Sequence, residues 1–495
     1  MDELPGNMLI GAAMTPAQCQ LVETVRERFG PKAVTTDADA IAPWLTDWRG
    51  RYHGQAPALL SPGSTEEVAA IVALAAEAGV ALVPQGGNTG MVGGATPPGD
   101  GSALLLSLRR MNRIRALSPS SNLAVAEAGV ILADLRTAAE ETGRRFPLDL
   151  GARGSATIGG LVSTNAGGTQ VLRFGTMRSL VAGVEAVLPD GSIHNGIAAL
   201  KKDNRGYDLN QLLIGAEGTL GIVTAATLRL VPGVRARAVA WVGLASPAKA
   251  LELLRALESR TDAVESFEIL PEKTLALVLR HVPGTRRPLD TSHAWHVLIE
   301  AVATDPGAES PAALLERLLA PALESGLAGD AVIAASEAQA EGFWRIRHSI
   351  SEAERAGGPA VQHDISVPVE DMPRFMIEGG AEAEARFPGT EAVAYGHLGD
   401  GNVHFHVRAP ADADPGTWYA QEGPRISRHV HDMVVAAGGS ISAEHGIGQM
   451  KRAELERLSA PSRMTVLRAI KSALDPKNIL NPGKLVTLAP DAATP

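Results

Sequence analysis

The hydrophobic positions near the start of the chain alternate between helical and extended spacing. Apolar residues recur at helical intervals over residues 15–29. In SPGSTEEVAAIVALAAEAGVALVPQGG, which begins at Ser61, either Ser64 or Thr65 can cap a helix, and a short buried strand follows. The pattern predicts an α/β unit that ends in a run of glycines.

Later segments extend this pattern into an α+β fold. SALLLSL, LAVAEAGV, VAGVEAVLPDG and GIVTAATLRLVP predict strands between glycine-rich turns. Beyond about residue 238 the glycine density falls, and helical stretches alternate with strands such as AWHVLIEAVA and EAVAYGH. Glycine-rich motifs return after Gly439, and a helix from Ala460 to Leu474 precedes DPKNILNPGKL. We predict domains at residues 1–233, 234–438 and 439–495, with the last segment returning to the first domain.

Composition narrows the class of protein. The 495-residue chain has 45% hydrophobic and 20% charged residues, which is typical of a globular protein. A chain of this length is expected to form more than one hydrophobic core. A net charge of -10 without a dense basic run disfavours nucleic acid as a partner. The single cysteine, Cys19, excludes an internal disulfide. Residues 1–15 lack a basic flank, and no apolar run is long enough to cross a membrane, so we expect a soluble cytoplasmic protein.

Two glycine clusters indicate a site for a phosphorylated cofactor. They are PQGGNTGMVGG (residues 84–94) and LGARGSATIGGLVSTNAGG (residues 150–168). Small residues let backbone amides approach a pyrophosphate, although either cluster alone is equally compatible with tight turns. Neither has the GxxxxGK[ST] spacing or the strand-to-helix context of a nicotinamide site, which disfavours nucleotide kinases and NAD enzymes.

A histidine cluster indicates a metal site. YGHLGDGNVHFHV (residues 395–407) predicts a hairpin that places His397 across from His404, with His404 and His406 on one face. SAEHGIGQMKR adds Glu444 and His445. Each histidine alone is better explained as a hydrogen-bonded structural side chain. Two imidazoles and one carboxylate together leave coordination positions open, as in a catalytic Zn²⁺ site.

FWRIRHSISEAER (residues 343–355) offers a site for a carboxylate. Arg347 and Ser351 are four residues apart, so on a helix they would share a face. A guanidinium and a hydroxyl on one face suit a substrate carboxylate. A solvated helix face is the alternative explanation.

A third cluster, KKDNRGYDLNQLLIGAEGTLGIVTAATLRL (residues 201–230), completes a specific pattern. With it, nearly the whole chain resembles the vanillyl-alcohol oxidase superfamily, in the branch that contains D-2-hydroxyglutarate dehydrogenase, D-lactate dehydrogenase and the glycolate oxidase flavin subunit. The resemblance implies a two-part FAD-binding domain followed by an α+β substrate domain, or cap. QGGNTG contains no histidine to which a flavin could be attached, so FAD should be non-covalent.

The resemblance also implies a set of cofactor contacts. The first loop would hold the pyrophosphate, the second would lie along the flavin, and the third cluster would lie near the adenosine. The implied residues are Gly86, Gly87, Asn88, Thr89, Gly90, Gly151, Ser155, Thr157, Gly159, Thr164, Asn165, Glu217, Gly218, Ile222 and, near the C-terminus, Asn481.

For the second half of the chain, the resemblance implies a catalytic centre. It matches His397, His404 and Glu444 to metal ligands, His445 to the catalytic base, and Arg347 to the residue that grips the substrate carboxylate.

Two substrate-facing positions depart from the hydroxyglutarate-type relatives. Gln362 stands where they have lysine, and His406 stands where they have asparagine. We therefore expect monocarboxylic 2-hydroxy acids to be accepted near pH 8 at least as well as 2-hydroxyglutarate.

The predicted reaction is dehydrogenation of a D-2-hydroxy acid at C2, with hydride transfer to flavin N5 and a divalent metal, Zn²⁺ or alternatively Mn²⁺ or Co²⁺. The electron acceptor stays open among electron-transfer flavoprotein, quinone, cytochrome and oxygen, and a homodimer is one option for assembly. Three alternatives remain: a flavoenzyme of the alkyl-transfer type, a metal-dependent hydrolase without flavin, and a non-catalytic nucleotide-binding subunit.

Overall fold

The computed structural model describes residues 13–200 and 202–488. Most of the N-terminal segment assessed for targeting signals, residues 1–12, lies outside these ranges. Lys201, the first residue of the third cluster, also lies outside them. So do residues 489–495, which make up most of the Ala/Pro-rich tail after Val486, for which the composition predicts disorder.

The first lobe comprises the described elements up to Pro232. Its strands are β1 (Val34–Thr35), β2 (Leu59–Leu60), β3 (Ala81–Gln85), β4 (Ala103–Ser107), β5 (Ile114–Ser118), β6 (Leu123–Glu127), β7 (Arg144–Arg145), β8 (Val181–Val187), β9 (Ile193–Asn195), β10 (Ile222–Arg229) and β11 (Val231–Pro232). Its helices are α1 (Pro16–Phe29), α2 (Ala38–Ile41), α3 (Thr65–Ala78), α4 (Leu132–Glu140), α5 (Ile158–Thr164), α6 (Val171–Phe174), α7 (Met177–Leu180) and α8 (Leu209–Leu213).

Two main sheets divide the first lobe into two parts. Among the described residues, one sheet has the order β1-β2-β4-β3, and the other, which is antiparallel, has the order β5-β6-β10-β8-β9. Helix α3 begins at the cap Ser64, whose hydroxyl accepts from the backbone N–H of Glu67, so Ser64 and not Thr65 is the cap. The predicted two-part domain is confirmed.

The second lobe contains one large sheet covered on both faces. Its strands are β12 (Ala236–Leu244), β13 (Val264–Pro271), β14 (Trp295–Ala303), β15 (Asp330–Ile333), β16 (Ala360–Ser366), β17 (Glu391–His397) and β18 (Asn402–Arg408). Its helices are α9 (Pro247–Glu258), α10 (Glu272–His281), α11 (Pro311–Glu324), α12 (Glu337–His348), α13 (Ile350–Ala356), α14 (Met372–Arg386) and α15 (Pro415–Ala436). In the described residues the strand order is β15-β12-β14-β13-β17-β18-β16, with every pair antiparallel.

Alternation along the strands assigns side chains to the two faces of this sheet. Ala240 and Val242 of β12 face the core formed with α9, α11, α14 and α15. Val239 and Trp241 face a second core formed with α10, α12 and α13. The sheet is therefore a rigid support for side chains at its β13-β17-β18-β16 end.

Two local predictions differ from the structure. The predicted hairpin of β17 and β18 is present, but Asn402 lies directly across from His397, and His404 pairs with Tyr395. His397 and His404 are therefore diagonal neighbours, with ring centroids 5.6 Å apart. The predicted single helix around Arg347 is broken at Ser349, where α12 ends before α13 begins.

The C-terminal segment returns to the first lobe, as predicted. Helices α16 (Arg452–Leu458) and α17 (Pro461–Leu474) precede a bridge between Leu480 and Leu82 of β3. Ile479 and Leu480 are buried in the core of the first lobe. Among the described residues, no helix combines the length and apolar character that a membrane crossing requires.

Candidate active site

His397, His404 and Glu444 form a cluster suited to a metal ion. His397 ends β17, His404 lies on β18, and Glu444 lies in the segment after α15. One ligand atom from each lies within 4.8 Å of the others. The Glu444 Oε1 atom is buried without a hydrogen-bond partner, and burial raises the pKa of this carboxyl to about 7. A buried carboxylate oxygen without a donor fits a bound cation.

Glu268 on β13 joins this cluster to Arg347. Its Oε1 lies 2.6 Å from His397 Nδ1, and its Oε2 accepts a hydrogen bond of 2.7 Å from Arg347 Nε. Burial opposes ionisation of Glu268, but His397 and Arg347 outweigh it and hold its pKa at about 2. Because Nδ1 of His397 is engaged by a carboxylate, its Nε2 is left for a metal, which is the usual carboxylate–histidine–metal arrangement.

Asp364 on β16 fixes the segment that carries Glu444 and His445. Its Oδ2 accepts from the backbone N–H groups of both residues, at 2.9 and 3.0 Å, and its Oδ1 accepts from the Asn402 amide at 2.9 Å. Asp364, Glu444 and His445 also satisfy the distances of a metal cluster. Because the Asp364 oxygens already accept these bonds, the cluster with His397 and His404 is the better metal site. Burial lowers the pKa of His445 to about 4, so its imidazole is neutral at pH 7.

A cavity of about 110 Å³ lies beside these groups. It brings together the predicted substrate and catalytic residues Arg347, Ser351, Gln362, His406 and His445 with the predicted metal ligand His404. It is also lined by charged or polar residues that sequence reasoning missed, namely Arg49, His363, Asp364, Tyr395 and Lys451. Despite the break at Ser349, Arg347 and Ser351 still face the same space.

The first two glycine loops contact each other so closely that larger residues would not fit. A Cβ on Gly86 would lie 2.2 Å from Thr157 Oγ1, and a Cβ on Gly87 would lie 1.8 Å from the Ser155 carbonyl oxygen. The buried Thr157 Oγ1 and Asn481 Oδ1 have no hydrogen-bond partners. A tight backbone surface with unpartnered polar atoms fits a polar cofactor such as FAD.

Backbone strain coincides with predicted cofactor residues. Asn88, Asn165, Glu217 and Asn481 have φ values of 53°, 51°, 53° and 45°, in the left-handed region that non-glycine residues seldom adopt. Strain of this kind persists where the surrounding structure requires it, which is common at binding sites. This coincidence supports a cofactor site at the junction of these loops.

Other predicted cofactor residues have protein contacts of their own. Thr164 donates to the Gly160 carbonyl, and Ile222 is 1% exposed within the core of the first lobe. The Glu217 carboxylate accepts from the backbone N–H groups of Ile447 and Gly448, at 2.7 Å each. Of the remaining predicted residues, Thr89, Gly90, Gly151 and Gly218 lie in loops, and Gly159 lies in the first turn of α5. Their contacts with FAD stay predictions.

The second glycine loop reaches the proposed metal cluster. A Cβ on Gly167 would lie 2.6 Å from Glu444 Oε1, and one on Gly93 of the first loop would lie 2.7 Å from the Gln449 side chain. The segment that carries Glu444 and His445 therefore lies between the glycine loops and the hairpin. A cofactor in the loops and a metal at the cluster would share one site.

This combination defines the class of protein as a flavin-dependent oxidoreductase. A model of the FAD binding domain matches residues 56–196, and a model of the C-terminal domain of FAD linked oxidases matches residues 234–485. The chain belongs to the family of FAD-linked oxidases.

The sequence relatives of the chain include D-2-hydroxyglutarate dehydrogenases. The chain is 37% identical to the mitochondrial D-2-hydroxyglutarate dehydrogenase of Arabidopsis thaliana, over 94% of this chain and 81% of the relative. It is 35% identical to the D-2-hydroxyglutarate dehydrogenase of Stutzerimonas stutzeri, over 94% and 98% of the two chains. Among solved structures, p-cresol methylhydroxylase aligns with a TM-score of 0.73 at 16% identity, over 97% of this chain and 99% of the other. The last likeness confirms the predicted fold of the vanillyl-alcohol oxidase type.

Proposed function

We propose that this protein is an FAD- and metal-dependent dehydrogenase that oxidises a D-2-hydroxy acid to the 2-oxo acid. One observation carries the proposal: Arg347, His445 and the cluster of His397, His404 and Glu444 meet beside the second glycine loop. The D-2-hydroxyglutarate dehydrogenases among its relatives support the reaction class and the D configuration.

Arg347 is suited to hold the carboxylate next to the reacting carbon. Its Nε donates to Glu268, and its guanidinium lines the cavity. The terminal nitrogens of such a guanidinium form a fork that matches a carboxylate. The Ser351 hydroxyl lines the same cavity and supplies a further polar contact.

His445 is positioned to accept the proton of the substrate hydroxyl. It lines the cavity with Arg347, and its Nδ1 lies 3.5 Å from Asp364, whose carboxylate also fixes the His445 backbone. A histidine oriented by a carboxylate is a common form of general base.

The bound groups supply the remaining chemistry. His397, His404 and Glu444 would hold a divalent cation, Zn²⁺ or alternatively Mn²⁺ or Co²⁺, which would supply Lewis acidity that lowers the pKa of the substrate hydroxyl. The glycine loops would hold FAD non-covalently, and the flavin would supply the hydride acceptor. Its reoxidation requires an electron acceptor, for which an electron-transfer flavoprotein, a quinone, a cytochrome and oxygen stay open.

The test is anaerobic flavin reduction by a panel of D- and L-2-hydroxy acids, before and after treatment with a strong chelator. We expect reduction by D-acids, release of flavin on acid precipitation, loss of turnover on chelation with flavin retained, and recovery with Zn²⁺, Mn²⁺ or Co²⁺. Full activity after verified metal removal would contradict the metal assignment. Reaction only with phosphate-bearing substrates would favour the alkyl-transfer alternative, and absence of flavin would favour the hydrolase.

The base is tested by His445→Ala. Flavin reduction should slow by roughly 10²–10⁴-fold, the usual contribution of a positioned base, while metal and FAD content stay at wild-type levels. His281→Ala, at the end of α10 and outside the cavity lining, is the matched control. Unchanged reduction in the His445 variant would exclude it as the base.

A further inference from the structure

A loop of the first lobe contributes Arg49 to the cavity that Arg347 also lines. Asp47 is 4% exposed, and its carboxylate accepts from the backbone N–H groups of Arg49, Arg51 and Tyr52 at 3.1, 2.7 and 2.6 Å. Three such bonds to one carboxylate fix the loop conformation. The loop therefore presents the Arg49 side chain to the cavity in a defined position.

The Arg49 guanidinium has no anionic partner within the described parts of the chain. Its one hydrogen bond there is made by its backbone N–H, and it forms no ion pair with a described carboxylate. Asp364 is the carboxylate that lines the same cavity, and its oxygens are already taken by Asn402 and by two backbone N–H groups. A partly buried cation without a partner is costly unless an anion binds to it.

The other cations of the cavity are committed elsewhere. Arg347 is engaged by Glu268 and is assigned to the carboxylate beside the reacting carbon. Lys451 donates through Nζ to the carbonyl oxygens of Asp364 and Ile441, at 3.2 and 2.8 Å. Among the described arginines and lysines that line the cavity, Arg49 is therefore the one left for a second anionic group.

We propose that Arg49 binds the distal carboxylate of a dicarboxylic D-2-hydroxy acid, and that it is a specificity-determining residue of this enzyme. The inference rests on the proposed function, and it names the substrate class. It also revises the expectation drawn from Gln362. That expectation assumed that no other cation faced the far end of the substrate, whereas Arg49 comes from a part of the chain more than three hundred residues away.

The test compares two isosteric ligands on the holoenzyme. 2-Oxoglutarate carries a distal carboxylate, and 4-nitro-2-oxobutanoate carries an uncharged, planar nitro group in its place. We expect wild-type protein to bind 2-oxoglutarate roughly tenfold to a hundredfold more tightly, measured by calorimetry or by perturbation of the flavin spectrum, since a charge-assisted hydrogen bond contributes about 1.5–3 kcal/mol. Flavin reduction should likewise favour D-2-hydroxyglutarate over D-lactate.

Two variants separate the charge of Arg49 from its bulk. Arg49→Met should bring the two affinities within about threefold, and Arg49→Lys should keep part of the preference, because lysine retains the charge without the planar fork. Arg51→Met is the matched control, because Arg51 belongs to the same loop but does not line the cavity. It should keep the wild-type ratio.

The outcomes are distinguishable. A wild-type protein without preference for 2-oxoglutarate, or an Arg49→Met variant that keeps the preference, overturns the assignment of Arg49. Failure of every 2-hydroxy acid to reduce the flavin would instead overturn the proposed function. If Arg49→Met does not fold, the ratio in the wild type and in Arg49→Lys still decides the question.

Discussion

The glycine loops of the first lobe present backbone atoms, whereas the charged cavity beside the second lobe presents side chains. In the loops the backbone forms the surface, and a single added Cβ at Gly87 would lie 1.8 Å from another backbone atom. In the cavity side chains form the surface, and buried charges such as Glu268 and Arg347 are held by each other. The glycine loops therefore depend on the absence of side chains. The cavity depends on ion pairs between its side chains.

This difference decides which site can be predicted from sequence. Such a site can be recognised from its glycines, because a close approach between two backbone segments and a positive φ both favour glycine wherever they occur. A buried ion pair has no local signal. Glu268 lies 129 residues from His397 and 79 from Arg347. The order of strands in the sheet places β13 beside β17, and helix α12 brings Arg347 to Glu268.

Gly87→Ala should disrupt the glycine loops without touching the charged cavity. The new Cβ would meet the Ser155 carbonyl, and neither backbone can move without opening the loops. We expect the purified variant to retain less than about a tenth of the wild-type flavin, while the metal content of the cluster of His397, His404 and Glu444 is preserved. Visible absorbance and metal analysis measure the two separately.

Gly154→Ala is the control for this variant. Gly154 lies in the second loop, and a Cβ there would meet nothing within 4 Å. It should bind flavin as the wild type does. Normal flavin content in the Gly87 variant would show that the loop contact does not shape the cofactor site.

The sequence predicted the fold in detail where patterns were local. The strands from Leu123 and Ile222, the helix capped by Thr15 and the β17–β18 hairpin all appear where their patterns indicated. The register of the hairpin was missed because it depends on the loop geometry between Leu398 and Gly401. The break at Ser349 was missed because the residues on both sides favour a helix.

The candidate site was predicted less completely. The motifs supplied Arg347, His445 and the metal cluster, which the structure brings together. They did not supply Glu268, which is an ordinary acidic residue on an apolar strand, or Arg49, which lies in another lobe. One signal for Arg49 was available: an aspartate followed closely by two arginines in a loop is typical of a turn that the carboxylate stabilises.

A substitution of Glu268 should disturb the charged cavity and leave the glycine loops intact. Glu268→Gln replaces one acceptor oxygen by an amide that faces a donor of His397 or Arg347. Loss of a carboxylate that orients a metal-bound histidine costs roughly 10–100-fold in metal affinity. Competition with a chromogenic chelator measures that affinity, and flavin content should not change.

Glu300→Gln is the matched control for Glu268. Glu300 is a buried glutamate of the neighbouring strand β14, and it accepts from the Trp344 indole at 2.7 Å, outside the cavity. Its variant should bind metal like the wild type. Equal metal affinity in both variants would mean that Glu268 does not orient His397.

Glu217 connects the glycine loops to the charged cavity, and its substitution should have a mild effect on stability. The Glu217 carboxylate accepts hydrogen bonds from the backbone N–H groups of Ile447 and Gly448. It thereby ties the segment that carries Glu444 and His445 to the first lobe. In Glu217→Gln one of those backbone donors faces an amide N–H, which should lower the free energy of unfolding by about 1–3 kcal/mol. Urea unfolding followed by flavin fluorescence measures the change, with the exposed Glu66→Gln as control. If both variants unfold at the wild-type urea concentration, other contacts hold the segment that carries Glu444 and His445. The hydrogen bonds of Glu217 would then contribute little to joining the two sites.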